Sequence, residues 1–93
     1  MKFSCRVDVW LKPGLLDPQG KAIEGALPAM GWSNVSGVRV GKYVEFLVEA
    51  QDEAAAFAQV QAMAERLLSN PVIEVFVVRD VTEWEGLTFE DRP

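Results

Sequence analysis

The run Val38-Arg39-Val40-Gly41-Lys42-Tyr43-Val44-Glu45-Phe46-Leu47-Val48 forms either one strand or two. Gly41-Lys42 invites a hairpin, because Gly-X suits a two-residue type II′ loop. The phase argues against it. Such a loop pairs Val40 with Tyr43, Arg39 with Val44 and Val38 with Glu45. Facing residues share a side of the sheet, so both sides would mix charge with valine. One continuous strand within 35–50 instead places Val38, Val40, Val44, Phe46 and Val48 on one face, with only Lys42 out of pattern. A bend or bulge at Gly41 fits that strand. The single long strand is the preferred reading, and two shorter strands are the alternative.

Residues 3–11 alternate cleanly. Phe3, Cys5, Val7, Val9 and Leu11 share one face, and Ser4, Arg6, Asp8 and Trp10 the other. This predicts a half-buried strand, ended by the turn former Pro13-Gly14. Asp17-Pro18 reads as a helix start, with Asp as cap and Pro at the first helical position. Ala22, Ile23, Ala26, Leu27 and Met30 follow at helical spacing. Pro28 predicts a kink or a loosened last turn. Gly31 then provides a left-handed stop, with Trp32 folding back on Leu27. Asp52 or Gln51 opens a second helix over 53–68 with an apolar stripe of Ala56, Phe57, Val60, Met63, Ala64 and Leu67. Ser69-Asn70-Pro71 ends it. Residues 72–78 read as a strand with apolar side chains on both faces.

The order strand, helix, long strand, helix, strand predicts an α+β fold. Its form is a small two-layer sandwich, with an antiparallel-type sheet and two helices on one face. The other face is expected to show Trp10, Tyr43, Leu47 and Phe76. One Trp hides about 200 Å², roughly 5 kcal/mol at about 25 cal/mol/Å². An apolar sheet face without a third layer therefore points to self-association as a homodimer or tetramer. The acidic stretch 80–93 is weakly patterned, and Trp84, Leu87 and Phe89 suggest that it docks.

Composition bounds the function. The chain has 93 residues, of which 49% are hydrophobic and 25% charged, with net charge −5, one cysteine and no histidine. The absence of histidine removes the commonest general base and transition-metal ligand. One cysteine forms no internal disulfide and fits a reducing compartment. No stretch is long and apolar enough for a membrane helix, and Arg6 and Asp8 interrupt any signal-peptide core. A cytoplasmic protein is expected. Residues 1–43 carry +3 and residues 44–93 carry −8. The acidic total argues against nucleic acid as a partner.

Catalytic candidates are scarce. Cys5 lies on the apolar phase of its strand and reads as a buried thiol. The glycines form neither a dinucleotide fingerprint nor a Walker loop, and the late acids lack calcium-loop spacing. No catalytic residue, metal or cofactor is expected. The loop Lys12-Pro13-Gly14-Leu15-Leu16-Asp17-Pro18-Gln19-Gly20 differs in kind. It holds two prolines, two glycines and two leucines. A preordered loop with apolar tips makes a docking surface, although a plain strand-to-helix connection would have much the same composition.

That loop, continued to Lys21-Ala22-Ile23-Glu24, resembles the signature of the PurS family, the small subunit of phosphoribosylformylglycinamidine synthase. Val38-Arg39-Val40-Gly41-Lys42-Tyr43-Val44-Glu45, Leu67-Leu68-Ser69-Asn70-Pro71-Val72-Ile73-Glu74 and the stretch from Ala26-Leu27 to Gly31-Trp32 fall in the family's order. The resemblance covers about residues 2–79. It implies a single α+β domain over 1–79, with 80–93 as a tail beyond the match. It also implies a small, dimeric, non-catalytic subunit that assembles with a large ATP-using synthetase and a glutaminase. The complex makes formylglycinamidine ribonucleotide from formylglycinamide ribonucleotide, ATP and glutamine, the fourth step of de novo purine synthesis. The small subunit would bridge the other two and support ammonia transfer. Pro28 departs from the pattern, and Ala64 stands where many relatives have cysteine. The residues expected at partner interfaces are Lys12, Pro13, Gly14, Asp17, Pro18, Gly20, Gly41, Lys42, Asn70 and Pro71. Two rivals remain: a regulatory small-molecule-binding dimer, which needs a polar-rimmed pocket at its interface, and a purely structural dimer.

Overall fold

The computed structural model describes residues 1–86. Its elements are β1 (Lys2–Leu11), α1 (Pro18–Ala26), β2 (Gly41–Glu49), α2 (Glu53–Met63) and β3 (Glu74–Glu83). A 3₁₀ turn follows α1 at Pro28–Met30, and a π turn extends α2 through Ala64–Leu68. The three strands form one antiparallel sheet in the order β2-β1-β3. This is the expected α+β architecture of three strands and two helices.

β1 is central because its alternation gives it a fully apolar side. Phe3, Cys5, Val7 and Val9 are buried against Ala56, Val60 and Ala64 of the second helical segment. Those three recur every four residues, so they form one narrow stripe. Two of them are alanines, which let the helix approach the sheet closely. Val48, Phe46 and Val44 of β2 lie opposite Phe3, Cys5 and Val7 on the same side. Phe76, Val78 and Val81 of β3 complete it.

The structure corrects several expectations. The long strand over 35–50 is only β2, beginning at Gly41. The reason lies in the amides of Val38 and Val40. Two residues apart, they point the same way, and a strand would offer both to a neighbour. Here Val38 N–H donates to Glu24 Oε1 at 2.9 Å and Val40 N–H to Asp17 Oδ2 at 2.8 Å. Carboxylates of the α1 region replace a strand partner. The helix that covers the sheet is α2. Of the stripe expected for α1, Ala22, Ile23, Ala26 and Met30 are exposed and Leu27 is half-buried. In the second helix Phe57 is exposed and Leu67 is 82% exposed, and Leu68, four residues beyond Ala64, packs on the core instead. The π turn closes where Ser69 N–H and Oγ both donate to Ala64 O.

Phe76 does not belong to the open face. It pairs with Val9 on the α2 side and packs on the core, so Val75 and Val77 face outward in its place. β3 continues to Glu83, past residue 79, where the tail was expected to begin. A bulge lets it do so. The register shifts between Arg6 and Val7, which pair with Asp80 and Val78, leaving Arg79 as the extra residue. Trp84 N–H then bonds Lys2 O at 2.8 Å. Leu87 and Phe89, read as docking residues, lie outside the described residues.

The expectations around α1 match the geometry. Asp17 caps the helix with Pro18 at the first position, and the 3₁₀ turn begins at Pro28. Gly31 is left-handed at φ 103°, and Trp32 N–H bonds back to Leu27 O at 3.0 Å.

Candidate functional site: a clasped loop at one end of the sheet

The loop between β1 and α1 is built as a rigid turn. Pro13 supplies the fixed φ of its first corner, and Gly14 at φ 86° the left-handed second corner, as a type II turn requires. Leu15 N–H closes it onto Lys12 O at 3.3 Å. The turn is then tied on two sides. Lys12 N–H donates to Ile73 O at 2.9 Å, so the loop abuts the turn that leads into β3. The Arg39 guanidinium donates through Nη2 to Leu11 O at 2.8 Å and to Lys12 O at 3.3 Å.

Asp17 is the centre of this arrangement. It is only 7% exposed. Its Oδ1 accepts from Gly20 N–H at 2.9 Å, capping α1, and its Oδ2 accepts from Val40 N–H. Arg39 Nε stands 3.6 Å from Oδ2. The Gly20 amide, followed by the Val40 amide and the nearby guanidinium, holds the Asp17 carboxyl below the usual carboxylate range. One side chain thus joins a helix start, a loop and the segment entering β2. Gly20 is required by the same closeness. A Cβ there would lie 2.4 Å from Val38 O and 2.8 Å from Asp17 Oδ2. Gly41 is similar, since its Cβ would meet Val9 O at 2.8 Å across the sheet.

The turn over 70–74 is closed by its own hydrogen bonds, besides the one that Ile73 O accepts from Lys12. Asn70 O accepts from Ile73 and Glu74 N–H, Asn70 Oδ1 accepts from Val72 N–H, and Glu74 Oε1 accepts from Asn70 N–H. Pro71 is exposed beside it. The residues expected at partner interfaces are therefore brought together at one end of the sheet, in two roles. Asp17, Gly20, Gly41 and Asn70 build the end. Pro13, Gly14, Pro18, Lys42 and Pro71 are exposed on it, and Lys12 is half-buried. Arg39 and Glu24, which sequence reasoning does not single out, prove central to the clasp. The signal available was the position of Arg39 inside the Val38–Lys42 run.

A cleft of about 490 Å³ runs between the loop and the segment 37–39, lined by residues that include Leu15, Leu16, Lys21, Glu24 and Arg39. Its carboxylates Asp17 and Glu24 accept from the backbone amides of Gly20, Val40 and Val38. Elsewhere, Cys5 is buried, and burial, with the Asp80 charge adding, pushes its thiol pKa up. It is a poor nucleophile there.

The face away from α2 gathers Trp10, Tyr43 and Leu47, as expected, with Val75 and Val77. Its centre is less apolar than the sequence suggests. Asp8 Oδ1 accepts from Arg6 Nε at 2.8 Å and Oδ2 from Arg79 Nε at 2.9 Å. The Arg6 guanidinium lies 4.2 Å from the Tyr43 ring centroid. The Arg6 and then the Arg79 hydrogen bonds hold the Asp8 carboxyl below its usual range.

A family model described as phosphoribosylformylglycinamidine (FGAM) synthase, PurS, matches residues 4–82. The chain belongs to the PurS family. The match begins in β1 and ends in β3, so it takes in the whole clasp. Among relatives, the phosphoribosylformylglycinamidine synthase subunit PurS of Synechocystis is 44% identical over 84 residues, 90% of this chain and 83% of the relative. That of Bacillus subtilis is 43% identical over 72 residues, covering 77% and 84%. The solved PurS of Thermus thermophilus superposes with a TM-score of 0.81 at 38% identity, over 91% of this chain and all of that one. A chain in the structure described as PurLQS from Thermotoga maritima gives 0.78 at 34% identity, over 85% and 96%. The PurS fold thus accounts for the described sheet, both helices and the loop between β1 and α1.

Proposed function

We propose that the chain is the small, non-catalytic subunit of the formylglycinamidine ribonucleotide synthase of de novo purine synthesis. In this reading it bridges the ATP-dependent synthetase and the glutaminase and supports the transfer of ammonia between them. The observation that carries the proposal is the likeness, over 85% of this chain, to a chain of the structure described as PurLQS. The side chains agree with a role in assembly. The carboxylates of the clasp are engaged with backbone amides, and the thiol is buried.

Self-association through the face that holds Trp10, Tyr43, Leu47, Val75 and Val77 belongs to the same proposal, giving a homodimer or tetramer in the cytoplasm. No helix among the described residues is long and apolar enough to cross a membrane. The test is product formation by the two larger subunits with glutamine or with ammonia as nitrogen donor. The proposal expects glutamine-dependent activity only when this protein is added. Full glutamine-dependent activity without it would refute the proposal.

A further inference from the structure

We infer that residues 12–40 form a latched strap, which opens as one unit while the sheet and α2 stay folded. The latch is the pair of carboxylate-to-amide bonds made by Asp17 and Glu24, with the Arg39 guanidinium beside them.

The strap leaves the end of β1 and returns at the start of β2. It carries the rigid turn, α1 and the 3₁₀ turn. None of its residues belongs to the core of the described residues, which is built from the three strands, α2 and the positions next to α2. Within α1 only Gly20 is buried. Ile23, Met30, Trp32 and Val35 are exposed. Burial of apolar surface is what ties a segment to the opening of the whole fold, and the strap contributes little of it.

Polar bonds close the strap instead, and they meet at one place. Asp17 and Glu24 lie seven residues apart, about two helical turns, so their carboxylates fall on the same side. The amides of Val38 and Val40 on the returning limb face them, at 2.9 and 2.8 Å. Arg39, between those two valines, grips Leu11 O and Lys12 O at the root of the outgoing limb. Each bond has a charged partner, which is the stronger kind. The bonds from Val38, Val40 and Arg39 Nη2 to Leu11 O span 14, 23 and 28 residues of chain. Once one is made, the others close a loop that is already shut, at little further cost in chain entropy. They therefore form and break together. A helix of nine residues is also too short to persist alone, so α1 stays helical only while the latch holds it.

The test is native-state hydrogen exchange across a urea series, read amide by amide at one protein concentration. The amides of Lys21, Leu27, Val38 and Val40 all donate within the strap. They are expected to exchange through one shared opening, at least about tenfold faster than the amides of β1 after correction for intrinsic rates. Urea is expected to speed them less than it speeds β1, because opening uncovers little new apolar surface. Gly25→Ala adds a Cβ that meets nothing within 4 Å. It is expected to slow all four by about two- to fivefold, Val38 and Val40 included although neither lies in α1. Glu24→Ala is expected to speed all four by about tenfold or more, with part of the protection restored in Glu24→Gln, which keeps an oxygen acceptor. The inference is overturned if the four amides match β1 in rate and urea dependence, since only global unfolding would then free them. It is overturned equally if either alanine variant alters only the amides nearest to it, since the bonds would then fray one by one. Four amides without protection in the wild type would overturn the latch itself.

Discussion

Alanine at Gly20 and alanine at Gly25 move stability in opposite directions, although both glycines lie within α1. Neither has positive φ, so alanine suits both backbones. Glycine-to-alanine in a helix gains about 0.5–1 kcal/mol when nothing else changes. Gly25 meets that condition, because its added Cβ finds no atom within 4 Å. At Gly20 the same gain is opposed by a collision. The Cβ falls 2.4 Å from the Val38 carbonyl oxygen and 2.8 Å from Asp17 Oδ2. Both oxygens are held in place, one in the backbone that the clasp fixes and one by the bond from Val40 N–H. A Cβ this close to a backbone oxygen puts the cost at the upper end of the usual range, about 2–3 kcal/mol, so a net loss of about 1–2 kcal/mol remains. For a domain of this size that lowers Tm by roughly 4–16 °C, while Gly25→Ala raises it by a few degrees. The assay is thermal and urea unfolding of both variants at one protein concentration. If Gly20→Ala proves as stable as Gly25→Ala, the close packing of α1 against the segment 38–40 is wrong.

Two further predictions concern titration and reactivity. Asp17 and Asp8 both have folded pKa values below the unfolded value of about 3.9. A depressed carboxylate contributes stability that is complete above the unfolded value and is lost as pH falls through the folded one. Melting curves of the wild type therefore fall below about pH 4, and Asp17→Asn falls less steeply from a lower neutral-pH Tm; equal slopes would contradict this. Cys5 in the native protein reacts with disulfide reagents at about pH 8 only as fast as the structure opens, and urea releases the reaction. Prompt stoichiometric labelling without urea would refute the buried thiol.

The legible parts of this fold are those written in local chemistry. β1 shows its alternation, Asp17-Pro18 its cap, and Pro28 with Gly31 the broken end of the first helix. The parts that mislead depend on contacts distant in sequence. Val38 and Val40 look like the start of a strand because alternation cannot show that their amides meet Glu24 and Asp17 instead of a neighbouring strand. Phe76 sits in a run apolar on both sides, so only the pairing with Val9 decides its face. Arg79-Asp80 reads as a strand end, yet a bulge there carries β3 onward. At the candidate site, Asp17 is recognisable as a cap, but its second oxygen reaches an amide 23 residues away. Gly20 looks like a loop glycine, and its need for a bare Cα appears only when Val38 O is placed beside it.

The measurement closest to the central claim is sedimentation of the synthetase and glutaminase subunits with and without this protein, with ammonia-dependent activity checking that the synthetase is intact. The bridging account predicts that the two larger subunits run separately on their own and sediment as one species, together with this protein, once it is added. A complex of the two larger subunits that forms equally well in its absence would contradict the account.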